Sequence, residues 1–382
     1  MSDNSKASKI MSIDMCSDTF QNLYNVDFIQ GDYILNGYDN INFLKVDNAY
    51  WNSATNKSVI DRVSGYIYGE GILSNSQPIK DIISNKTLRC FIEEYKRYGM
   101  ASLEVIYNAA KKVAKLEFIS ITEIGIQRQD DFNAAPQVFW HSKDWMQQNK
   151  FRPQAIPAFG TVGFSAGKEL LVIGLKHGYP YFVEPDYKPA LFYAEWEQKF
   201  AEYILSHIEN GFSAGHIINV FGVENSPENQ AIAAKKIREQ LTGSRNAGKF
   251  FLSFNEDPTN ATTIDAIEVS EAHKQYEFLT VEAEKKILMS HGYFPILLGV
   301  QGATGFSNNA DELNTALKVF YRNVVRPMRE EIIDALESVL KINDPNINLE
   351  FKDFDELLVS TESIDEPIDE TLPDNIIVNP TI

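Results

Sequence analysis

Histidine, cysteine and paired acidic residues are the side chains of this sequence that could carry metal or acid–base chemistry. The six histidines are His141, His177, His207, His216, His273 and His291. None of them forms an H-E-x-x-H or H-x-H arrangement, and Cys16 and Cys90 lack the spacing of metal ligands. Two isolated cysteines are typical of a protein in a reducing compartment. We therefore expect neither a metal site nor a cofactor.

Acidic pairs and glycines give no clearer catalytic signal. Adjacent residues such as Glu93 and Glu94 do not face each other on a helix, so we expect these pairs to be solvated charges. The stretch from Gly69 to Gly71 lacks the Lys-Ser/Thr step of a phosphate-binding loop, and the sequence has no Walker A motif and no G-x-S-x-G elbow. We expect a protein that is not an enzyme. An enzyme whose acid–base residues are distant in sequence stays open as an alternative.

The composition is that of a large, acidic, globular protein. The chain has 382 residues, 44% hydrophobic residues and a formal net charge of −18, and its length suits two or three domains. Tight nucleic-acid binding needs clustered Lys and Arg, so the overall charge disfavours it, although a like-charged surface can surround a polyanion loosely. Residues 1–16 lack the apolar core of a signal peptide, and no apolar run is long enough to cross a bilayer. We expect no membrane association.

The elements that would position functional residues are most distinct between Ser270 and Leu340. A first helix is predicted from about Ser270 to His291, followed by a glycine-rich break from Gly292 to Asn309. A second helical run is predicted from Ala310 to Leu340. Two long helices joined by a loop that cannot be helical indicate a lever or a gate more than a catalytic pocket.

Pro327 lies inside the second helical run. Proline removes a backbone donor and its ring clashes with the preceding turn, so we expect a kink and a possible hinge at this residue. The alternative is a pair of shorter helices that meet at Val325–Pro327, because a proline is also a common helix boundary.

The remaining chain predicts alternating α and β units. Residues 1 to about 50 show no long period and suggest an irregular arm, whereas residues 88–145 suggest an α+β unit with a helix, a hairpin and a strand at Ile124–Arg128 that continues the sheet. A helix is predicted from Ala190 to about Asn210. Residues 216–268 then resemble a small β-α-β module.

The C-terminal residues are acidic and contain prolines. The segment INDPNINLEF after Leu340 adds at most one strand. The following residues have little apolar pattern, so we expect a mobile tail.

The order of these elements resembles the portal proteins of tailed bacteriophages, the head-to-tail connectors. The matching pieces are IDRVSGYIYGEG, NGFSAGHIINVFG, GKFFLSF, ILMSHGYFPILLGV and GATGFSNNADELNTALKVFYRNVVRPMREEIIDALESVL. The last piece is the most specific. In these portals a helix that ends in an apolar x-P-x-L-L-G run, here within ILMSHGYFPILLGV, is followed by a Gly/Ser/Asn loop and a helix with an R-P step. The resemblance covers about residues 55–345.

The resemblance implies an α+β, portal-like fold with an α/β wing, two long stem helices, a small α/β clip inserted between them, and a kinked C-terminal helix. The implied divisions are an N-terminal arm (1–54), wing (55–189), stem helix (190–215), clip (216–268), second stem helix (269–292), tunnel loop (293–309), kinked helix (310–345) and acidic, flexible tail (346–382).

The resemblance also implies roles for individual residues. The DNA-channel tunnel loop would be formed by Gln301, Gly302, Ala303, Thr304, Gly305, Phe306, Ser307, Asn308 and Asn309. The polar residues of the stem would be Lys274, Lys285 and Lys286, and the hinge would be Pro327. The clip residues that contact a partner would be Lys235, Lys236, Arg238, Arg245 and Lys249. Ordinary surface charge is the alternative explanation for these clip cations.

The implied function is a ring, usually dodecameric, at one capsid vertex of a virion made in the bacterial cytoplasm. Its partners would be further copies of itself, the terminase large subunit, the head-tail adaptor, the major capsid or scaffold protein, and double-stranded DNA held non-specifically. No cofactor is implied. A second hypothesis is another phage assembly protein that shares the helical hairpin without forming the channel, and a third is an enzyme with an unrecognised site.

Overall fold

The fold is described from a computed structural model. The structure describes residues 28–30, 32–76, 79–128, 135–175, 181–209, 216–221, 232, 235, 250–255, 272–298 and 310–354. Runs of helices and runs of strands follow one another along these residues, in agreement with the predicted α+β class.

Seven α-helices are defined within the described residues. They are α1 (Ile41–Asn52), α2 (Ala54–Tyr68), α3 (Asn85–Tyr98), α4 (Ala190–Glu209), α5 (Ala272–Ser290), α6 (Ala310–Phe320) and α7 (Arg326–Leu340). A π-helical turn at Tyr321–Val325 joins α6 to α7.

The strands form four separate sheets. They are β1 (Phe28–Gln30), β2 (Tyr33–Leu35), β3 (Ile72–Ser74), β4 (Ala101–Tyr107), β5 (Val113–Ile119), β6 (Ile124–Gln127), β7 (Val138–His141), β8 (Gln154–Pro157), β9 (Lys168–Ile173), β10 (His216–Phe221), β11 (Phe250–Asn255) and β12 (Leu349–Phe351). One sheet has the order β1-β2-β6-β7-β8 and another the order β5-β4-β9, and both are antiparallel. The other two are the antiparallel pair β3–β12 and the parallel pair β10–β11.

The predicted hairpin is present, but β6 does not extend it. β4 pairs with β5 from Ser102 to Tyr107, and β9 flanks β4 on the other side. β6 belongs instead to the five-stranded sheet, where it lies between β2 and β7. The expectation that Ile124–Arg128 continues the hairpin sheet is therefore wrong. A short 3-10 turn at Ile121–Glu123 redirects the chain between β5 and β6.

Residues 28–30 and 32–54 are folded, so the expectation of an irregular arm is wrong for them. β2 pairs with β6, and α1 buries Phe43, Val46, Ala49 and Tyr50. The chain turns sharply before α1, where Asp39 and Asn40 have φ values of 51° and 63°. The buried Asn40 side chain donates to the carbonyl oxygens of Thr122 and Ile124, which fixes this turn against the sheet. The residues that make these contacts are far apart in the sequence, so no local sequence pattern predicts them.

The ends of α2 and α3 follow from their sequences. Ser53 begins α2 by accepting a hydrogen bond from the Asn56 amide, and Ser84 caps α3 through the Thr87 amide. Gly99 ends α3 in the left-handed conformation with φ 74°, as its position after the last helical residue predicts.

Two clusters of buried side chains form the core. The first contains Val59, Val63 and Ile67 of α2 together with residues of β4, β5 and α7. The second contains residues of α1, β6 and β7 together with Tyr187, Ala190 and Ile287. Since α2 contributes Ile60 to the second cluster, this helix lies between the two.

The chain returns to the core after α7. β12 pairs with β3, and Leu349 and Phe351 are buried. The expectation that residues 346–382 form a flexible tail is therefore wrong for residues 346–354. This strand lies within INDPNINLEF, the segment in which one strand was predicted. Residues 355–382 lie outside the described residues.

Candidate functional site: an exposed helix pair and its anchored base

Helices α4 and α5 leave the body of the protein side by side. They pack against each other, and their bases meet in one buried cluster that contains Ala190 and Ala194 of α4 and Ile287 of α5. These bounds, Ala190–Glu209 and Ala272–Ser290, agree closely with the two helices predicted from the spacing of apolar residues.

The halves of the two helices that lie farther from the body expose apolar side chains. On α4, every side chain from Ala201 to Leu205 is exposed, and Ile204 and Leu205 retain 43% and 55% of their accessible surface. On α5, Phe278 is 66% exposed and Val281 is 42% exposed. Large apolar side chains that cluster on the surface of a soluble protein mark interaction sites. The helix pair is therefore a candidate assembly surface.

Polar contacts fasten the base of α4 to the body. Glu197 of α4 accepts hydrogen bonds from the hydroxyls of Ser53 and Thr55 at the start of α2, the latter at 3.0 Å. Ser53 is also the residue that caps α2. One carboxylate thus connects the beginning of a core helix to the third turn of the exposed helix.

A buried group of polar and aromatic residues lies where α4 and α5 meet α3. His291, directly after α5, stacks on Tyr187 with a centroid distance of 4.3 Å, and its Nε2 lies 2.9 Å from Oδ1 of Asn56. The Tyr187 hydroxyl donates to the Arg97 carbonyl at 2.7 Å. Burial, with Lys96 nearby, holds the pKa of His291 well below its ordinary value. His291 is therefore neutral at neutral pH and acts as a packing residue.

Lys96 completes this group. Its side chain is fully buried, and its ammonium nitrogen lies 2.7 Å from the Asp186 carboxylate, which is partly exposed. Burial lowers the pKa of Lys96, and Asp186 opposes that shift. A buried ammonium group without a partner is strongly destabilising, so Asp186 is the contact that makes this position possible.

The chain between α4 and α5 contains the parallel strand pair β10–β11. His216 lies opposite Phe250, and the register continues to Phe221 opposite Asn255. Parallel strands require a crossover connection, and residues 232 and 235 between them are helical. The described residues thus agree with the β-α-β order predicted for residues 216–268.

After α5 the chain turns at Gly292, which has φ 62°, and forms a short 3-10 helix at Pro295–Leu298. Tyr293 packs against Phe320 of α6 with a centroid distance of 5.0 Å. This contact joins the chain just after α5 to the far end of α6. Residues Gln301, Gly302, Ala303, Thr304, Gly305, Phe306, Ser307, Asn308 and Asn309 lie outside the described residues.

The helical run around Pro327 contains a π-helical turn. The turn covers Tyr321–Val325, and Pro327 lies in the first turn of α7. In a regular α-helix the Pro327 ring would clash with the carbonyl of residue 323. A wider π turn relieves such a clash while the helical conformation continues, since Phe320 and Arg326 both have φ −60° and ψ −48°. Whether Pro327 acts as a hinge stays a prediction.

Arg329 clamps this helix to the body. Its side chain is buried, and Nε and Nη2 donate to the carbonyl oxygens of Ile67 and Tyr66 at 2.9 and 2.8 Å. Those carbonyls belong to the last turn of α2, where no intrahelical donor reaches them. The same guanidinium contacts the Tyr321 hydroxyl in the π turn and the Asp353 carboxylate after β12.

Gly69 leaves room for the Arg329 clamp. It follows α2 with φ 55°, and a β-carbon at this position would clash with the Lys352 carbonyl oxygen and lie 2.8 Å from Nη2 of Arg329. The glycine is therefore required for the close approach of the α2 end, the β12 end and the guanidinium. This close approach explains why a glycine is present at position 69, where a phosphate-binding loop was not expected.

The positively charged residues singled out by the sequence do not converge within the described residues. Lys285 is exposed, Lys286 lies 3.5 Å from Glu282 on its own helix, and Lys274 lies on α5. Lys235 is exposed and helical. The other clip cations, Lys236, Arg238, Arg245 and Lys249, lie outside the described residues.

Sequence reasoning missed the residues that hold this region together. Arg329, His291 and Glu94 are buried, yet their partners lie far away in sequence. Glu94 accepts hydrogen bonds from the Ser120 hydroxyl at 2.5 Å and the Ile121 amide at 3.0 Å, and burial raises its pKa to about 8. The expectation that Glu94 is a solvated charge is therefore wrong.

Two further properties concern the described part of the chain. No group of three or more His, Cys, Asp and Glu side chains within it is placed to hold a metal ion. None of its helices combines the length and the apolar character needed to cross a bilayer.

The fold is shared with solved structures of gene transfer agent (GTA) particles, whereas no protein-family profile and no curated protein sequence matches the chain. A chain of the native GTA virion is 12% identical, with a TM-score of 0.58 over 88% of this chain and 90% of that chain. A chain from the neck of the native GTA particle, computed with C12 symmetry, is 13% identical, with a TM-score of 0.55 over 84% and 87% of the two chains.

An HK97-family phage portal protein from Corynebacterium diphtheriae is 11% identical, with a TM-score of 0.47 over 82% of this chain and 97% of that chain. At such identities a structural likeness concerns the fold alone. The resemblance drawn from the sequence is confirmed at that level, because the chain has the fold of these GTA virion and neck components.

Proposed function

We propose that this protein is the subunit of a phage portal, a ring-shaped channel at one capsid vertex through which DNA is packaged and ejected. The observation that carries the proposal is the exposed pair α4–α5, which projects from the body and brackets the β10–β11 strands, in a fold shared with GTA virion and neck components. The subunit is made in the bacterial cytoplasm and is incorporated into the virion.

Self-association into a ring would bury the exposed apolar side chains of the helix pair. Neither buried cluster of the described residues contains Ile204 and Leu205 on α4 or Phe278 on α5. Head-to-tail contacts between identical subunits give a closed ring when the rotation between neighbours closes. Twelve subunits are our proposed number, which the C12 symmetry of one similar neck structure supports.

The parallel strand pair supports a docking role for residues 216–268. Two strands alone make a marginally stable sheet. Contacts with neighbouring subunits, and with partners at the end of the channel, would stabilise it. In this proposal the terminase large subunit binds here during packaging and the head-tail adaptor binds here afterwards, whereas the body contacts the capsid or scaffold protein.

The segment between α5 and α6 would meet DNA in the channel. Residues 301–309 contain no Lys or Arg, and the chain carries a net charge of −18. Phosphate contacts supply most sequence-independent affinity for DNA, so a loop without cations would let the duplex slide. The Tyr293–Phe320 contact joins the start of this segment to the far end of α6, and Arg329 holds α7 to α2.

Native mass spectrometry and negative-stain imaging of the purified full chain test the ring. We expect a ring of identical subunits with a central pore wide enough for duplex DNA. A compact dimer without a pore would refute the portal proposal. It would favour an assembly protein that shares the helix pair without forming a channel.

A second experiment separates ring formation from DNA passage. Shortening the segment Ala303–Ser307 should leave ring assembly intact and block packaging in an infection or in vitro packaging assay. Normal packaging by the shortened chain would show that this segment is not the tunnel loop.

A further inference from the structure

The connection between β7 and β8, residues 142–153, is held in place by its own polar and aromatic groups. The buried Ser142 hydroxyl donates to the Phe151 carbonyl at 2.8 Å, which joins the two ends of the connection. Trp145 is buried in the middle of it and packs against Tyr33 with a centroid distance of 5.2 Å. The side chains that this connection presents outward therefore start from a fixed backbone.

A concavity of about 460 Å³ is formed by this connection and the strand ends that it joins. Its lining includes Lys143, Lys150, Arg152, His141, Phe151 and Gln154. The three cations are exposed, and His141 and Gln154 are opposite partners in the β7–β8 ladder. Residues 141–154 contain three cations and one acid, a net charge of +2 with His141 neutral, whereas the whole chain carries −18. We call this site the cationic concavity.

Two acidic residues adjoin the cationic concavity, and both already have partners. Glu123 lies 2.7 Å from Nε2 of His141. Asp144 accepts a hydrogen bond at 2.9 Å from a backbone amide of the 3-10 turn Trp145–Gln147, which it begins. The ion pairs among the described residues do not include any of the three cations. Their charges are therefore available to an anionic ligand.

The surroundings of the three cations favour one class of anion. Phosphate sites commonly present backbone amides at the start of a helix, but here the Asp144 carboxylate takes that position. Tight binding of duplex DNA is opposed by the net charge of −18. The Phe151 ring lies in the concavity with the Lys150 ammonium 5.0 Å from its centroid, and Met146 on the same connection is 62% exposed. Cations beside apolar groups suit acidic side chains, which carry methylene groups next to their carboxylates.

We propose that the cationic concavity binds an acidic, carboxylate-bearing segment of a partner protein. The carboxylates pair with Lys143, Lys150 and Arg152, and the aliphatic parts of the segment contact Phe151 and Met146. Exposed ion pairs contribute more to specificity and to the rate of association than to affinity, so the binding is weak and sensitive to salt. This inference does not depend on the proposed channel.

Fluorescence anisotropy of a fluorescein-labelled polyglutamate peptide with the purified full chain tests this binding. We expect saturable binding that weakens as the salt concentration rises from about 50 to about 200 mM, and no binding of a labelled polyglutamine peptide of the same length. Lys143→Glu combined with Arg152→Glu should weaken binding by more than about tenfold, because two attractions become repulsions. Lys80→Glu combined with Lys86→Glu is the matched control, since both lysines are exposed, lie outside the lining and change the net charge equally. The control should bind within about twofold of the unchanged chain.

Several results would overturn the proposal. They are the absence of saturable binding, an equal loss in the two double variants, and binding of a short DNA duplex or of inorganic phosphate that is tighter than binding of the peptide. The last result would assign the concavity to phosphate groups. A benzophenone on the peptide locates the contact in the unchanged chain, so this test holds even where a variant folds poorly. Its crosslinks should map to residues 141–154, and crosslinks confined to other residues would also refute the assignment.

Discussion

Replacing Arg329 by Ala should destabilise the subunit far more than replacing any exposed arginine on the same helix. The guanidinium donates to the carbonyl oxygens of Tyr66 and Ile67 at 2.8 and 2.9 Å and pairs with Asp353. Its charge also complements the C-terminal end of the α2 dipole. The Ala variant leaves the carbonyl groups of Tyr66 and Ile67 without these donors, and the Asp353 carboxylate keeps only its contact with the Tyr321 hydroxyl.

The expected cost is about 4 kcal/mol. Hydrogen bonds from a charged donor contribute roughly 1.5 kcal/mol each, and two such bonds to carbonyl oxygens are lost. The Asp353 side chain is 28% exposed, so the ion pair adds only about 1 kcal/mol after solvent screening. Arg329→Lys should lose about half of the total, because a lysine keeps the charge but cannot reach several acceptors at once.

Urea unfolding followed by far-UV circular dichroism measures this difference. With an m-value of about 3 kcal/mol/M, the Ala variant should unfold at a midpoint lower by more than about 1 M. Arg326→Ala is the matched control, since Arg326 lies on the same helix and pairs with Glu330 at an exposed site. The control should shift the midpoint by less than about 0.2 M. Equal midpoints for the two variants would refute the argument that Arg329 clamps α7 to α2.

Three further predictions follow from single contacts. Gly69→Ala should lower the free energy of unfolding by about 3 kcal/mol, because its β-carbon would clash after α2. Gly65→Ala should raise it by about 0.5–1 kcal/mol, because the β-carbon would meet open space within α2. Urea midpoints compare the two variants. The pKa of Glu94 is raised to about 8, so its contribution to stability is present at low pH and should be lost as the pH rises. The free energy of unfolding should fall by about 1.4 kcal/mol per pH unit between about pH 5 and pH 8. Glu94→Gln should remove this pH dependence from urea titrations. Ile204→Ser with Leu205→Ser should weaken ring formation by about 3 kcal/mol per interface, or more than about a hundredfold, as measured by native mass spectrometry.

Each of these predictions has a result that would contradict it. If Gly65→Ala destabilised the protein as much as Gly69→Ala, the loss of a glycine, and not the clash at position 69, would explain the lower free energy of unfolding. An unchanged pH slope in Glu94→Gln would assign the titration to another group. Glu202→Gln is the control for the α4 variant because Glu202 is exposed on the same turn, and unchanged assembly in both variants would remove α4 from the interface.

Local periodicity predicted α4, α5 and the helical run from Ala310 to Leu340, whereas α1 lies in the stretch that was expected to be irregular. The apolar spacing placed α4 and α5 within two residues of their observed ends. These signals depend on neighbours a few residues apart, so the sequence shows them directly.

Contacts between distant residues could not be predicted in this way. Arg329 binds carbonyl groups that lie 262 and 263 residues earlier, and His291 meets Asn56 235 residues away. In the sequence, Glu94 follows Glu93 in a helix and was therefore predicted to be a solvated charge. Only the folded structure shows that it is buried and accepts a hydrogen bond from the Ile121 amide. The site was therefore predictable as an arrangement of helices and not as a set of contacts.

The arrangement separates the residues that stabilise the subunit from those that would assemble it. Arg329 is buried between α7 and the end of α2, and Lys96 and His291 are buried near the bases of α4 and α5, so changes at these residues act on the free energy of unfolding. Ile204 and Leu205 are already largely exposed in the folded subunit, and truncating them removes little burial from the fold. Assembly energy can consequently change without a change in the stability of the subunit. A variant of α4 that lost both together would show that the helix pair is part of the folded core and not a surface for neighbours.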